Sequence, residues 1–165
     1  MISVAGMPSS IDNEIPFFDR SFGFETAIAE SVPFITAANV EAEGCELGIG
    51  IVRIMGQKCG FVAATACLAS RDVNICVIPE IHFQIYGNYG VYESIIRRAK
   101  VKGHCIIVVA EGAYKGLVEA DQKIVLEKTK GATRKDDEEE SFVDLAAFMK
   151  TDLKEYASKN HKVSL

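Results

Sequence analysis

Four nearly continuous apolar runs of strand length constrain this chain more than any other feature: Ile2 to Ala5, Ile49 to Met55, Val73 to Ile78 and Cys105 to Ala110. A strand with one wet face alternates apolar and polar residues. A run such as Cys-Ile-Ile-Val-Val-Ala instead suits a strand covered on both faces of a parallel sheet. Helical patterns lie between the runs. Phe24, Ala27, Ile28, Ser31, Ile35 and Ala38 share one face of a long helix, which Asp19 or Ser21 can cap and Pro33 should kink. Gly60 to Ser70 is apolar almost all round, as a central helix would be, and a third helix covers Val91 to Lys102. Strands alternating with helices make βαβ units, so the expected fold is α/β: a parallel, doubly wound, Rossmann-like sheet flanked by helices.

Composition narrows the class. With 165 residues, 48% of them apolar and 25% charged, the chain is long enough and apolar enough for one globular core. Its 18 basic residues are scattered among 23 acidic ones, so no phosphate-tracking surface is expected and nucleic acid is set aside as a partner. The five cysteines lie in apolar runs without a C-x-x-C pair and read as reduced, buried thiols rather than a disulfide framework or a zinc site. His82, His104 and His161 are too widely spaced to suggest a metal site. No apolar run approaches the roughly 18 to 20 residues that span a bilayer, and no signal peptide is evident, so a cytoplasmic protein without a membrane partner is expected. The ending Val163-Ser164-Leu165 is not the peroxisomal Ser-Lys-Leu address.

Three regions follow from the pattern. Residues 1–127 form the α/β region, 128–140 a polar loop ending in the acidic run Asp136 to Glu140, and 141–165 an amphipathic helix carrying Phe142, Leu145, Phe148, Met149 and Leu153.

In open α/β sheets ligands sit beyond the carboxyl ends of the strands, which directs attention to the residues after each apolar run. These are Gly6 to Glu14, Met55 to Gly60, Pro79-Glu80 and Glu111-Gly112, four segments that a parallel sheet would place on one rim. In the first, Ser10, Asp12 and Glu14 offer a hydroxyl and two carboxylates spaced for base and orienting partner, or else form an ordinary polar turn. The second sets glycines and backbone N–H groups before a helix start, a weak anion signal. Glu111, directly after a buried run, must find donors or face a ligand, and a structural salt bridge serves the first need equally well.

At these residues a family resemblance emerges. Gly6-Met7-Pro8-Ser9-Ser10-Ile11-Asp12-Asn13-Glu14-Ile15 resembles the phosphofructokinase signature G-I/V-P-x-T-I-D-N-D-I, and Ser21 to Ala27 resembles the S-F-G-F-D/E-T-A that follows it. Gly50 to Gln57 is similar to G-I/L-V-K/R-L-M-G-R, Leu68 to Val73 to L-A-S-R-D-V, Ile78-Pro79-Glu80 to I-P-E, and Val109 to Gly112 to the family's A-E-G segment. The ordered set covers about residues 3 to 118 and is closer to the plant and protist long forms than to the short bacterial ones.

The resemblance implies a phosphofructokinase-like fold and transfer of a phosphoryl group from ATP, or pyrophosphate in some relatives, to the 1-hydroxyl of fructose 6-phosphate, with Mg²⁺ bridging the donor phosphates. Carried over by position, Asp12 is the base, Ser10 stands for a threonine beside the moving phosphoryl group, and Glu14 stands for a second aspartate. Met55 and Gly56 contact the sugar, Gln57 takes the place of an arginine, and Glu111 accepts sugar hydroxyls. The resemblance also implies a homo-oligomer. Gln57 and Ser9 remove two cations that the long forms carry, which leaves room for a non-catalytic regulatory paralogue. No G-G-D-G loop for the nucleotide occurs in the sequence, so the expectation is an internal piece of a longer enzyme, inactive by itself.

Overall fold

The computed structural model describes residues 2–129 and 143–161. The acidic run Asp136 to Glu140, Phe142, the side chain of His161 and the Val163 to Leu165 ending lie outside the described residues. Strand β1 (Gly48–Ile54) is preceded by helix α1 (Phe24–Glu43) and followed by α2 (Phe61–Ser70), β2 (Ile75–Val77), α3 (Val91–Lys102) and β3 (His104–Ala110). A 3-10 turn at Ala113–Gly116 then leads to α4 (Glu119–Lys128), and α5 (Leu145–His161) ends the described chain.

The three strands are parallel in the order β1-β3-β2, with Ile49 paired to Cys105 and Ile75 to Ile107. The chain therefore steps across the sheet through α2 and back to its centre through α3. Right-handed crossovers in opposite directions put the two helices on opposite faces, which is the doubly wound arrangement. Helix α1 packs on α2, and α5 packs on α3. Cys105 to Ala110 of β3 are buried, as an unbroken apolar run on a central strand requires. Each buried Ile or Val side chain there contributes about 1.5–3 kcal/mol.

Four expectations change. Ile2 to Ala5 forms no strand: Ile2 and Val4 are 91% and 90% exposed, and no described strand pairs with their backbone. A short apolar run becomes a strand only where a neighbour takes its N–H and C=O groups. Helix α1 starts from Gly23 in the left-handed region, not from a side-chain cap at Asp19 or Ser21, and it runs through Pro33. Helix α2 is not enclosed, because Val62, Ala63 and Ala66 face the core while Phe61 and Leu68 are 49% and 79% exposed. Of the cysteines, all free, only Cys59 and Cys105 are buried; Cys67 is half-buried, and Cys45 and Cys76 are exposed.

The tail helix is anchored twice. Asp144 accepts the Ala147 N–H at 3.0 Å, the geometry of an N-terminal cap, and its other oxygen meets Arg53 of β1 at 2.6 Å. Behind it Leu145, Met149, Leu153 and Ala157 are buried at helical spacing. The buried Asp152 carboxylate accepts the Tyr86 hydroxyl at 2.5 Å and pairs with Lys128. Tyr86, Tyr92 and Tyr156 pack around it with ring centroids 5.3–5.9 Å apart.

Candidate active site

Three of the four expected segments meet at the carboxyl ends of the strands because backbone groups lock them together. Glu111 donates its N–H to Ile54 O at 2.9 Å, and Gly112 donates to Gly56 O at 2.9 Å. Residue 112 must be glycine here, since a Cβ would stand 2.0 Å from the Gln57 carbonyl oxygen. Gly56, at φ +129°, turns the chain back so tightly that a Cβ would lie 2.4 Å from Cys59 O. Glu80 closes the third side by accepting the Gly60 N–H at 2.7 Å. That carboxylate stands at the N-terminus of α2, where helix-end N–H groups favour negative charge, so the protein itself fills the position that the glycine spacing offered to an anion.

The Gly6 to Glu14 segment reaches the same rim without a strand behind it. The Cys59 thiol donates to the Asp12 carbonyl at 3.3 Å, and the Ser10 hydroxyl accepts the Asp12 N–H at 3.2 Å. Asn13 adopts φ 59°, a left-handed conformation that Asn tolerates better than most residues. From there its side-chain oxygen accepts the Ser21 N–H at 2.8 Å and its amide donates to Asp19 O at 3.3 Å, tying the loop to the entry of α1.

Ser10 and Asp12 are half-buried, and Glu14 is exposed. Burial, and next the charge of Glu14, raise the Asp12 carboxyl above its ordinary value. The Cys59 thiol is raised as well, chiefly by burial. The Glu111 side chain is half-buried and meets no donor among the described residues. Met55 and Gln57 expose their side chains, and Gly56 is buried.

The expected residues thus form two groups on one rim: Ser10, Asp12 and Glu14 against Cys59, and Met55, Gly56 and Gln57 against Glu111-Gly112. The turn from Gly56 to Cys59 connects them. Among the described residues no side-chain hydrogen bond joins the groups directly. Cys59, Asn13 and the capping role of Glu80 were not foreseen. Asn in a tight polar turn was the one local signal available, whereas the other two contacts join residues 20 or more positions apart. Two grooves of about 510 and 600 Å³ lie elsewhere, one between α1, β1 and α5 and the other beside β2 and α3. Neither includes Asp12 or Glu111.

An open, parallel, doubly wound sheet with carboxylate-bearing loops gathered beyond its strand ends is the architecture of the Rossmann-like α/β class, whose members hold ligands at that rim. Comparison with known proteins narrows this. The family model described as Phosphofructokinase matches residues 1–156, and the chain belongs to that family. It is 51% identical over 122 residues to ATP-dependent 6-phosphofructokinase 1 of Arabidopsis thaliana, covering 74% of this chain and 26% of that protein. ATP-dependent 6-phosphofructokinase 2 of the same plant is 36% identical over 164 residues, 97% of this chain and 35% of that protein. The chain therefore spans about a quarter to a third of the length of these relatives. The crystal structure of Pichia pastoris phosphofructokinase in the T-state shares the fold, with a TM-score of 0.52 at 24% identity over 74% of this chain and 14% of that one.

Proposed function

We propose that this chain forms the sugar side of a 6-phosphofructokinase site, in which the terminal phosphoryl group of ATP passes to the 1-hydroxyl of fructose 6-phosphate. The observation that carries the reading is the Asp12 carboxyl: half-buried, raised above its ordinary value, and seated on the carboxyl rim within the family-matched segment. A carboxylate with a raised proton affinity is a better acceptor for a hydroxyl proton than one in open water. Asp12 takes the proton of the 1-hydroxyl as the oxygen attacks phosphorus, and the bond from phosphorus to the departing ADP oxygen breaks. Ser10 stands beside the moving group, and the like charge of Glu14 raises the proton affinity of Asp12. Met55 and Gly56 line the sugar, Gln57 lies beside the transferring group, and Glu111, which meets no donor among the described residues, accepts sugar hydroxyls.

The donor half is a different matter. Among the described residues no three His, Cys, Asp or Glu side chains converge to hold a metal ion. Mg²⁺ that bridges donor phosphates takes only one or two carboxylates beside those phosphates and water, so the reading leaves the ion with the donor and gives this chain the acceptor half of the reaction. ATP is preferred over pyrophosphate because the matched relatives carry ATP-dependent names. A cytoplasmic homo-oligomer, divided into regions 1–127, 128–140 and 141–165, completes the proposal. No helix among the described residues is long and apolar enough to cross a membrane.

Gln57 favours a second reading, a regulatory relative that keeps the fold and the sugar contacts. An uncharged amide stands where the family pattern has a cation to face the phosphoryl group. One pair of substitutions in the catalytically active form of the protein separates the readings. Asp12→Asn should lower turnover about 1,000-fold while leaving the KM for fructose 6-phosphate within a few-fold. Gln57→Arg should raise turnover, since a cation aimed at a transferring phosphoryl group stabilises its transition state. Asp12→Asn turnover within about tenfold of the unmodified protein would remove Asp12 as the base.

A further inference from the structure

We propose that Cys67 and Cys76 form a dithiol site that reacts with low-molecular-weight disulfides, such as oxidised glutathione, and closes into an internal disulfide between α2 and β2. The packing of α2 on β2 brings the two residues together. At the start of α2, a Cβ on Gly60 would stand 2.4 Å from the Ile78 Cβ, so that face of the helix lies directly on the strand segment. Position 67 repeats the direction of position 60 two turns later, about 10 Å along the helix. Cys76 lies two residues before Ile78 and points to the same side of the strand, about 7 Å away. The helix descends and the strand ascends, so both displacements run the same way, and two cysteine side chains span the remainder. The two side chains are near enough that each shifts the other's thiol.

The mutual effect is unequal. It draws the Cys76 thiol below its ordinary value and holds Cys67 above it, against smaller opposing effects of burial and then of Glu80 on Cys76. Cys76 is also the exposed member of the pair, and Cys67 is half-buried. Thiol–disulfide exchange needs an accessible thiolate to attack and a neighbouring thiol to resolve the product, and the pair divides those tasks. The Cys76 thiolate attacks one sulfur of the disulfide, breaking its S–S bond and releasing one thiol. Cys67 then gives up its proton and attacks the Cys76 sulfur, releasing the second thiol. The two cysteines are oxidised, the external disulfide is reduced, and their two protons end on the two released thiols. The link ties α2 to β2 beneath the Glu80–Gly60 contact, which couples the oxidation state to the rim.

The test is peptide mapping of the reduced chain after incubation with oxidised glutathione at neutral pH. Trypsin cleaves at Arg71, between the two cysteines, so the link joins two peptides, and fragment ions distinguish Cys67 from Cys59 within the first. The expected product is a Cys67–Cys76 disulfide with no glutathione retained. Cys67→Ser should leave a stable glutathione adduct on Cys76, and in the reduced chain Cys76 should alkylate about tenfold faster than the buried Cys105. Modification of Cys45 alone, or glutathione persisting on Cys76 in the unsubstituted chain, would overturn the proposal. The unsubstituted chain decides the matter even if the variant folds poorly.

Discussion

The segment from Ile2 to Phe22 and helix α5 both lie outside the sheet, yet they are attached by different means. Helix α5 buries Leu145, Met149, Leu153 and Ala157 and closes on a buried carboxylate. The Ile2–Phe22 segment leaves Ile2, Val4, Met7, Phe17 and Phe22 largely exposed, is shaped by internal hydrogen bonds accepted by Ser10 and Asn13, and is tied to the rim by the bond that the Cys59 thiol donates to the Asp12 carbonyl. Apolar burial is proportional to area and tolerates small shifts, whereas hydrogen bonds fix direction and contribute only about 1 kcal/mol each. The helix is thus placed for stability. The loop carrying Asp12 is oriented without being firmly anchored, as expected of the low-stability end of a structure, from which ligand-binding loops are drawn.

Breaking the rim itself should have the largest effect. Gly112→Ala drives a methyl group into the Gln57 carbonyl and should cost about 3 kcal/mol or more in urea unfolding. Gly6→Ala, with nothing within 4 Å, should be close to neutral. Equal costs at the two positions would mean that the Gly56–Gly112 lock contributes little. On the other side of the comparison, Asp152→Ala leaves the Tyr86 hydroxyl without its acceptor and Lys128 without its counterion. About 2 kcal/mol is expected, less than for a fully enclosed pair because Lys128 is half exposed. A loss below about 0.5 kcal/mol would show that α5 is held by its apolar face alone.

Glu80→Gln keeps the shape but removes the charge at the start of α2. It should cost about 0.5–1 kcal/mol, diminishing with added salt. The smallest effect is expected at Asp12 and reverses sign. Its carboxyl is raised by burial and by Glu14 from an ordinary 3.8, so the folded chain binds this proton more tightly than the unfolded one. The resulting contribution is complete below the ordinary carboxyl range and is lost as pH rises through the raised value. Asp12→Asn should therefore melt slightly above the unmodified chain at neutral pH, with the advantage disappearing in acid. Melting below it at neutral pH would contradict the burial of Asp12.

Periodicity made β1, α3 and β3 readable, because their apolar faces pack where the pattern said they would, and it marked α2 as a helix while overstating its enclosure. It failed at Ile2 to Ala5, whose apolar character says nothing about whether a partner strand is available. Helix α4 was missed because Ile124, Val125 and Leu126 are consecutive and only Val125 and Asp121 are buried, so no amphipathic stripe marks it. The rim segments could be located from strand ends alone. The bonds that hold them could not, since Cys59 reaches back 47 positions to Asp12 and Glu80 reaches 20 to Gly60.

The central claim, that the rim and not either groove is the sugar-phosphate side of the site, is tested most directly by titrating the ¹⁵N-labelled chain with fructose 6-phosphate. Amide shifts should appear at Ser10 to Glu14, Met55 to Gln57 and Glu111-Gly112 and leave α5 unmoved. Shifts concentrated on Glu41, Leu47, Lys150 and Lys154, which line the groove between α1, β1 and α5, would contradict the account. So would a silent rim at sugar-phosphate concentrations on the order of 10 mM.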